Sequence, residues 1–302
     1  MIIITGASGF VGQNLTNYLI EKGEKIKGLS LRNSDWASNM DYKSKAIIHL
    51  AGKAHDTSNI SNAEEYYKVN RDLTIALFNQ FLKSEINDFF YFSSVKAVAD
   101  SVSDVLDENF SASPKTPYGK SKLEAEFFLL SQELPKGKRL FIIRPCMIHG
   151  PGNKGNLNLL YKVVKKGIPW PLASFNNRRS FLSVDNLSYL IKEILDKKKI
   201  PSGIYNFSDD ESLSTNDLVR LIATCLGKRE CLLHIPSSFV NSLAKIGDMF
   251  PLPLNSERLK KLTESYVVSN NKVKASLGIE KLPVSAKEGL MKTIRSFQIT
   301  KK

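Results

Sequence analysis

The chain has 302 residues, 42% hydrophobic and 24% charged, ordinary for a globular protein and enough to bury a sizeable core. Its apolar runs fall short of the roughly 20 residues that cross a bilayer, and its three cysteines and four histidines lack the spacing of a disulfide framework or a zinc site. The formal charge of +13 points to anionic partners, but the lysines are scattered and no nucleic-acid motif accompanies them, so they read as solvated faces. A net positive field also suits a small dianionic substrate or an anionic membrane surface.

In chain order, Met1 is followed at once by "IIITG", a buried strand and a turn. No basic n-region or cleavage site is visible, which predicts a cytoplasmic protein without membrane insertion. Phe10 to Glu21 has helical spacing, with Val11, Leu15, Tyr18 and Leu19 on one side. "KIKGLSL" is a second strand and "AIIHLAG" a third apolar run. Ala63 to Lys83 reads as one long helix, "FFYFSS" as a strand, Tyr118 to Leu134 as a helix and "RLFIIRP" as a strand. Strands alternating with helices predict a parallel sheet covered on both faces. About a dozen residues separate Arg32, read as the end of the second strand, from the next strand near Ala46. A crossover alone needs that many, so an edge strand expected there is reduced or missing.

After Gly150 the pattern changes. "GPGNKGNLNLL" is loop running into helix, and "IPWPLASFNNRRSFLSV" is irregular with strand pieces. Helical stretches follow at Asp185 to Leu195, Ser214 to Leu226, Ser237 to Met249 and Ser285 to Phe297. The fold class is α/β: a Rossmann-type doubly wound parallel sheet with a smaller, mostly helical lobe over the carboxyl ends of its strands, where ligands of such sheets bind.

Three short stretches carry chemistry. "TGASGFVG" places Gly6, Gly9 and Gly12 after the first strand and at the opening of the first helix, with Ser8, Phe10 and Val11 between and beside them. Glycines permit a tight turn and close backbone approach to a pyrophosphate, and the helix N-terminus supplies N–H groups and a positive dipole end. This predicts an NAD(P)-binding domain over residues 1–150, with a return segment at about 178–206, and a mainly substrate-binding lobe over 151–302. "TPYGKSKLEAE" sets Tyr118 and Lys122 four apart, on one face of a helix. A phenol of pKa about 10 must be lowered to shuttle protons near neutrality, and an adjacent ammonium favours the phenolate. "FFYFSSVKAV" ends a strand in Ser93 and Ser94, whose hydroxyls can hydrogen-bond a substrate carbonyl. Alone, each of the last two is a common accident.

Together, "TGASGFVG", "HLAG", "SSVK", "YGKSK", "IIRP" and "RRSFLSVDNL" resemble the extended short-chain dehydrogenase/reductase family over nearly the whole chain. The closest likeness is to nucleotide-sugar 4-epimerases and to 4-keto-reductases of UDP-2-acetamido-2,6-dideoxyhexuloses. The resemblance implies that Gly6, Gly9 and Gly12 bind the cofactor pyrophosphate and that Leu50, Ala51 and Gly52 line the cofactor. Ser94 would bond the sugar C4 oxygen, Tyr118 would exchange the C4 proton, and Lys122 would hold the nicotinamide ribose and depress the Tyr118 pKa. Arg144 and Pro145 would end the strand that abuts the nicotinamide. Asn156, Leu157 and Arg179 would meet the substrate diphosphate, with Arg178 and Arg258 as weaker candidates. Lys96 falls near the substrate mouth without an assigned role, and Asn70 matches a structural helix asparagine. The resemblance also implies a UDP-sugar partner, bacterial surface polysaccharide assembly and a possible homodimer through the helices near 63–83 and 118–134.

The second strand distinguishes the two activities. Relatives that bind NAD carry an acid there for the adenosine ribose; here Ser30 is neutral and Arg32 follows. An arginine accommodates a 2′-phosphate, so NADP(H) is favoured, with NAD(H) possible, and the reductase is favoured over an NAD-dependent UDP-glucose or UDP-N-acetylglucosamine 4-epimerase. A non-catalytic NADP-binding regulatory protein is an alternative of another class; the intact Ser94, Tyr118 and Lys122 argue against it. No metal is expected.

Overall fold

The computed structural model of the protein describes residues 1–53, 62–153, 155–249 and 255–299; His55 lies outside them. Its strands are β1 (Ile2–Thr5), β2 (Ile26–Leu29), β3 (Ala46–His49), β4 (Asp88–Phe92), β5 (Val105–Leu106), β6 (Arg139–Pro145), β7 (Met147–His149), β8 (Arg179–Ser183), β9 (Gly203–Phe207), β10 (Ser212–Leu213) and β11 (Val267–Val268). Its helices are α1 (Phe10–Glu21), α2 (Ala63–Tyr66), α3 (Leu73–Lys83), α4 (Pro117–Leu130), α5 (Asn156–Lys165), α6 (Val184–Asp196), α7 (Thr215–Cys225), α8 (Ser237–Met249), α9 (Ser256–Thr263), α10 (Asn271–Leu277) and α11 (Ala286–Ile299).

Among the described residues, six strands form the central parallel sheet in the order β2-β1-β3-β4-β6-β9. Successive side chains of a strand point to opposite faces, so the same apolar runs supply two cores. Ile2, Ile4, Ile48, Phe90 and Phe141 pack with Leu15 and Leu19 of α1 and Leu187, Ile191 and Ile194 of α6. Ile3, Ile47, Phe89, Tyr91 and Ile142 pack with Leu77, Phe78 and Phe81 of α3 and Ala125 and Leu129 of α4. Burial on both faces is why these strands read as continuous hydrophobic runs.

β2 is the edge strand, and the chain beyond it makes a 3-10 turn at Trp36–Asn39 in place of a strand-helix unit. Trp36 and Met40 seal the sheet there, each buried. The reduced edge was expected. β2 ends at Leu29, however, so Ser30 and Arg32 lie just past the strand.

Other boundaries differ from the sequence expectation. Ala63 to Lys83 is α2 and α3 joined by a π-helical segment, Tyr67–Asp72. The helix expected to reach Leu134 stops at Leu130. In the segment 178–206, α6 packs on α1 and β9 joins the main sheet, whereas β8 pairs with β7 and β10 in a separate three-stranded sheet. Two short helices, α9 and α10, and the β5–β11 pair had no clear periodic signal. A third core, including Leu157, Tyr161, Phe181, Leu218, Ile222 and Leu290, sits in the C-terminal half. Among the described residues no helix is long and apolar enough to cross a membrane.

Candidate active site

The carboxyl ends of β1, β3, β4 and β6 converge on one region. After β1, Gly6 takes a left-handed φ of +69°, and a Cβ there would lie 2.8 Å from the Ala51 nitrogen. A Cβ at Gly12 would lie 2.2 Å from the Gly6 carbonyl. The turn therefore closes against both the segment after β3 and the first turn of α1, which only glycine permits. Helix α1 begins at Gly9 with no side-chain cap, and Ser8, Phe10 and Val11 surround that N-terminus. A narrow cradle with uncapped N–H groups fits a dinucleotide pyrophosphate.

Leu50, Ala51 and Gly52 follow β3, and the Ala51 N–H donates to Thr5 Oγ1 at 3.1 Å. Thr5 also bonds His49 Nδ1 at 2.7 Å, and His49 Nε2 bonds Thr74 Oγ1 at 2.9 Å. Thr74 donates its own proton to the Asn70 carbonyl, so it accepts from His49. The network thus assigns the proton of the neutral imidazole to Nε2. Burial holds the His49 pKa down at about 3, with the Lys122 charge adding to the effect.

Asn70, fully buried in the π segment, accepts from Lys53 N at 2.8 Å and donates to Lys53 O and to Ser121 Oγ, both at 3.1 Å. It joins the segment after β3 to α4. Structural work of this kind was the expectation for it.

Ser94 follows β4, and its Oγ accepts from Lys96 N at 3.1 Å. Tyr118 enters α4 behind the Thr116 cap, whose Oγ1 accepts from Gly119 N at 3.2 Å. A Cβ at Gly119 would stand 2.3 Å from the Lys96 carbonyl, so glycine lets α4 approach the Ser94 turn. Tyr118 and Ser94 are hydrogen-bonded through their side chains. Lys122, 5% exposed, donates to the Phe92 carbonyl at 2.8 Å and lies 4.9 Å above the Tyr91 ring. Ser94 and Tyr118 are thus side by side, with Lys122 one turn further along α4.

Their electrostatics differ from expectation. Burial raises the Tyr118 pKa above its ordinary value; the Ser94 hydrogen bond opposes this and Tyr66 adds to it. Burial also lowers the Lys122 pKa to about 8, with Glu126 acting the other way. For both groups desolvation is the largest effect.

Several other candidates have duties of their own. The Lys96 ammonium bonds the Asp100 carbonyl at 2.7 Å and sits 4.3 Å over the Tyr266 ring, bracing the Ser94 turn. Pro145 ends β6, but the Arg144 side chain is buried and points to α4, where Glu126 accepts its hydrogen bonds. Arg32 is exposed, its N–H 3.5 Å from Ser30 Oγ. Asn156 is exposed at the start of α5, whereas the Leu157 side chain belongs to the C-terminal core. Arg179 Nε donates to the Glu264 carbonyl at 3.1 Å, Arg178 Nε to Ser212 Oγ at 3.0 Å, and Arg258 lies exposed on α9.

Two residues of this region were not singled out from the sequence. Glu126 had a signal, since it stands four residues after Lys122 and eight after Tyr118 on one helical face. Tyr266 had none; it reaches the Ser94 turn from 167 residues beyond Ala99.

Residues 2–207, from the first strand of the sheet to its last, match the NAD dependent epimerase/dehydratase family. The chain belongs to that family. It is therefore a nicotinamide-dinucleotide enzyme of the extended short-chain dehydrogenase/reductase type. This family member is 30% identical to the UDP-glucose 4-epimerase of Vibrio cholerae over 318 residues, 98% of this chain and 95% of the relative. Its fold is similar to that of WbmG from Bordetella bronchiseptica in complex with NAD and UDP, with a TM-score of 0.77, 19% identity and 99% and 94% of the two chains covered. It is also similar to RMD from Pseudomonas aeruginosa complexed with NADPH, with a TM-score of 0.74, 20% identity and 98% and 97% covered.

Proposed function

We propose that the protein reduces the C4 keto group of a UDP-linked 2-acetamido-2,6-dideoxy-4-hexulose with NADPH, in the cytoplasm, for bacterial surface polysaccharide biosynthesis. The observation that carries the C4 chemistry is the Ser94–Tyr118 hydrogen bond with Lys122 one helical turn away. The dinucleotide, when bound, supplies the hydride. Gly6, Gly9, Gly12, Leu50, Ala51, Gly52 and Pro145 would hold it.

Tyr118 gives its proton to the C4 oxygen as negative charge develops there. Lys96 N–H donates into the Ser94 oxygen, and the Ser94 hydroxyl proton, which turns to Tyr118 here, would turn to the same C4 oxygen once the sugar is bound. Lys122, one turn along α4 from Tyr118, would supply the positive charge that favours the phenolate left after transfer. Residues 1–150 with the return segment would carry the dinucleotide and the lobe the UDP-sugar, with Asn156, the Leu157 backbone, Arg179 and Arg258 toward the diphosphate.

Arg32, exposed past the end of β2, supports NADPH: its guanidinium is a charge-assisted partner for a 2′-phosphate. The likeness to the Vibrio cholerae UDP-glucose 4-epimerase favours a second reading, an NAD-dependent UDP-glucose or UDP-N-acetylglucosamine 4-epimerase. The two differ in net redox. The reductase consumes one reduced cofactor per turnover; the epimerase consumes none.

A paired assay separates them. One arm offers UDP-glucose or UDP-N-acetylglucosamine without added reductant; the other offers UDP-4-keto-6-deoxy-N-acetylglucosamine with NADPH. The reductase oxidises NADPH in step with loss of the keto sugar. Interconversion of gluco and galacto sugars in the first arm would establish the epimerase instead.

A further inference from the structure

Beneath the Ser94, Tyr118 and Lys122 side chains lies a buried charge cluster that the chemistry above does not use. Glu126 is completely buried on α4. Its Oε1 and Oε2 accept from Arg144 Nε at 3.0 and 3.1 Å, and it accepts further bonds from Arg144 Nη2 and the Ser93 hydroxyl. Arg144 comes from β6, and Ser93 directly follows β4. One carboxylate thus clamps a helix to two adjacent strands, at the place where β4 delivers Ser94.

Stability is a weak reason for such an arrangement. Desolvating an ion pair costs several kcal/mol per ion, and well-packed apolar residues often replace a buried pair without loss. The charge inventory suggests another reason. Lys122 and Arg144 are cations at 5% and 4% exposure. Around Lys122, His49 on β3 is held neutral between two threonines. Tyr91 on β4 and Tyr118 on α4 are phenols that burial keeps protonated. Glu126 supplies the anion of this group, and it acts on Lys122 to favour the charged form. Arginine stays charged in proteins, whereas a buried lysine can give up its proton.

We propose that Glu126 is a positioning residue: through Ser93 it fixes the turn that presents Ser94, and its carboxylate, one turn along α4 from Lys122, keeps that side chain an ammonium. The inference rests on the reading that Ser94, Tyr118 and Lys122 carry the C4 chemistry. The third member of the α4 row, Tyr118-Lys122-Glu126, thereby supports the first two.

The test compares Glu126→Gln, which keeps the shape and removes the charge, with Glu126→Asp, which keeps the charge. Turnover of UDP-4-keto-6-deoxy-N-acetylglucosamine with NADPH is followed against pH, beside thermal unfolding. Glu126→Gln should lose about tenfold in kcat with KM little changed, and the alkaline limb of its pH profile should move down by about one unit. Glu126→Asp should return the limb to its wild-type position. If Glu126→Gln fails to fold, Glu126→Gln with Arg144→Met removes the unpaired cation and should still show the displaced limb, because Glu126 is the charge that acts on Lys122. A slow variant whose limb stays in place, or one with wild-type kcat, overturns the inference. Tyr118→Phe separates the two levels: if it stays active, the catalytic reading fails, whereas an inactive Tyr118→Phe beside an unaffected Glu126→Gln refutes only the positioning role.

Discussion

The Tyr266 hydroxyl donates to the Ala99 carbonyl at 2.7 Å and stands 3.1 Å from the Val95 carbonyl. This buried phenol, from the segment that leads into β11, holds the two ends of the turn that follows Ser94. Tyr266→Phe should destabilise the protein by about 1–2 kcal/mol, the cost of leaving a buried carbonyl unpaired. It should also lower kcat by loosening Ser94. Thermal unfolding and turnover would be measured together, and an unchanged kcat would mean that the turn does not need this brace.

Tyr118→Phe should abolish turnover while substrate affinity stays near that of the wild type, because the phenol acts on a proton that moves only in the reaction. Calorimetric binding and single-turnover kinetics check the two halves separately. Retained kcat would remove Tyr118 from the mechanism.

Cofactor choice should follow Arg32. Wild-type protein is expected to bind NADPH more tightly than NADH, and Arg32→Ala should narrow the gap by about 1.5 kcal/mol, the lower end of a charge-assisted contact because Arg32 is exposed. Fluorescence titration of both cofactors decides it. Equal wild-type affinities would take away the main support for the reductase over the epimerase.

Lys122 costs stability for the sake of its charge. Its folded pKa of about 8 lies below the unfolded value of about 10.4. Between these values the unfolded chain binds more protons, so stability rises with pH across that window. The penalty is fully present below pH about 8 and amounts to as much as about 3 kcal/mol. Lys122→Met should therefore raise the melting temperature at neutral pH and abolish activity. A lower melting temperature would show that the Phe92 hydrogen bond outweighs the desolvation.

His49 should set part of the acid limit. Its folded pKa is about 3 and its unfolded value about 6.5, so the unfolded chain takes up the extra proton in that window. Stability is complete above pH about 6.5 and falls as the pH drops toward 3. Urea midpoints between pH 7 and pH 4 should fall less steeply in His49→Gln. Equal slopes in the two proteins would place the acid sensitivity elsewhere.

Much of the scaffold is written locally. The continuous apolar runs of β1, β3, β4 and β6 specify buried parallel strands, and Gly6, Gly9 and Gly12 specify the turn, because period and glycine spacing act within a few residues. The spacing from Arg32 to Ala46 left no room for an edge strand, and that was legible too. The Tyr118–Lys122 spacing likewise set both on one face of α4. Tertiary structure alone decided how that face is used. The π segment before α3 places Asn70 between Lys53 and Ser121. The Lys96 ammonium turns to Asp100 and Tyr266, Arg144 turns to Glu126, and burial moves the Tyr118 and Lys122 pKa values against the direction their spacing suggested for the phenol. Each of these depends on residues brought together from distant parts of the chain and on how much water they exclude. Desolvation is a property of the assembled surroundings, and no periodicity in a strand or helix encodes it.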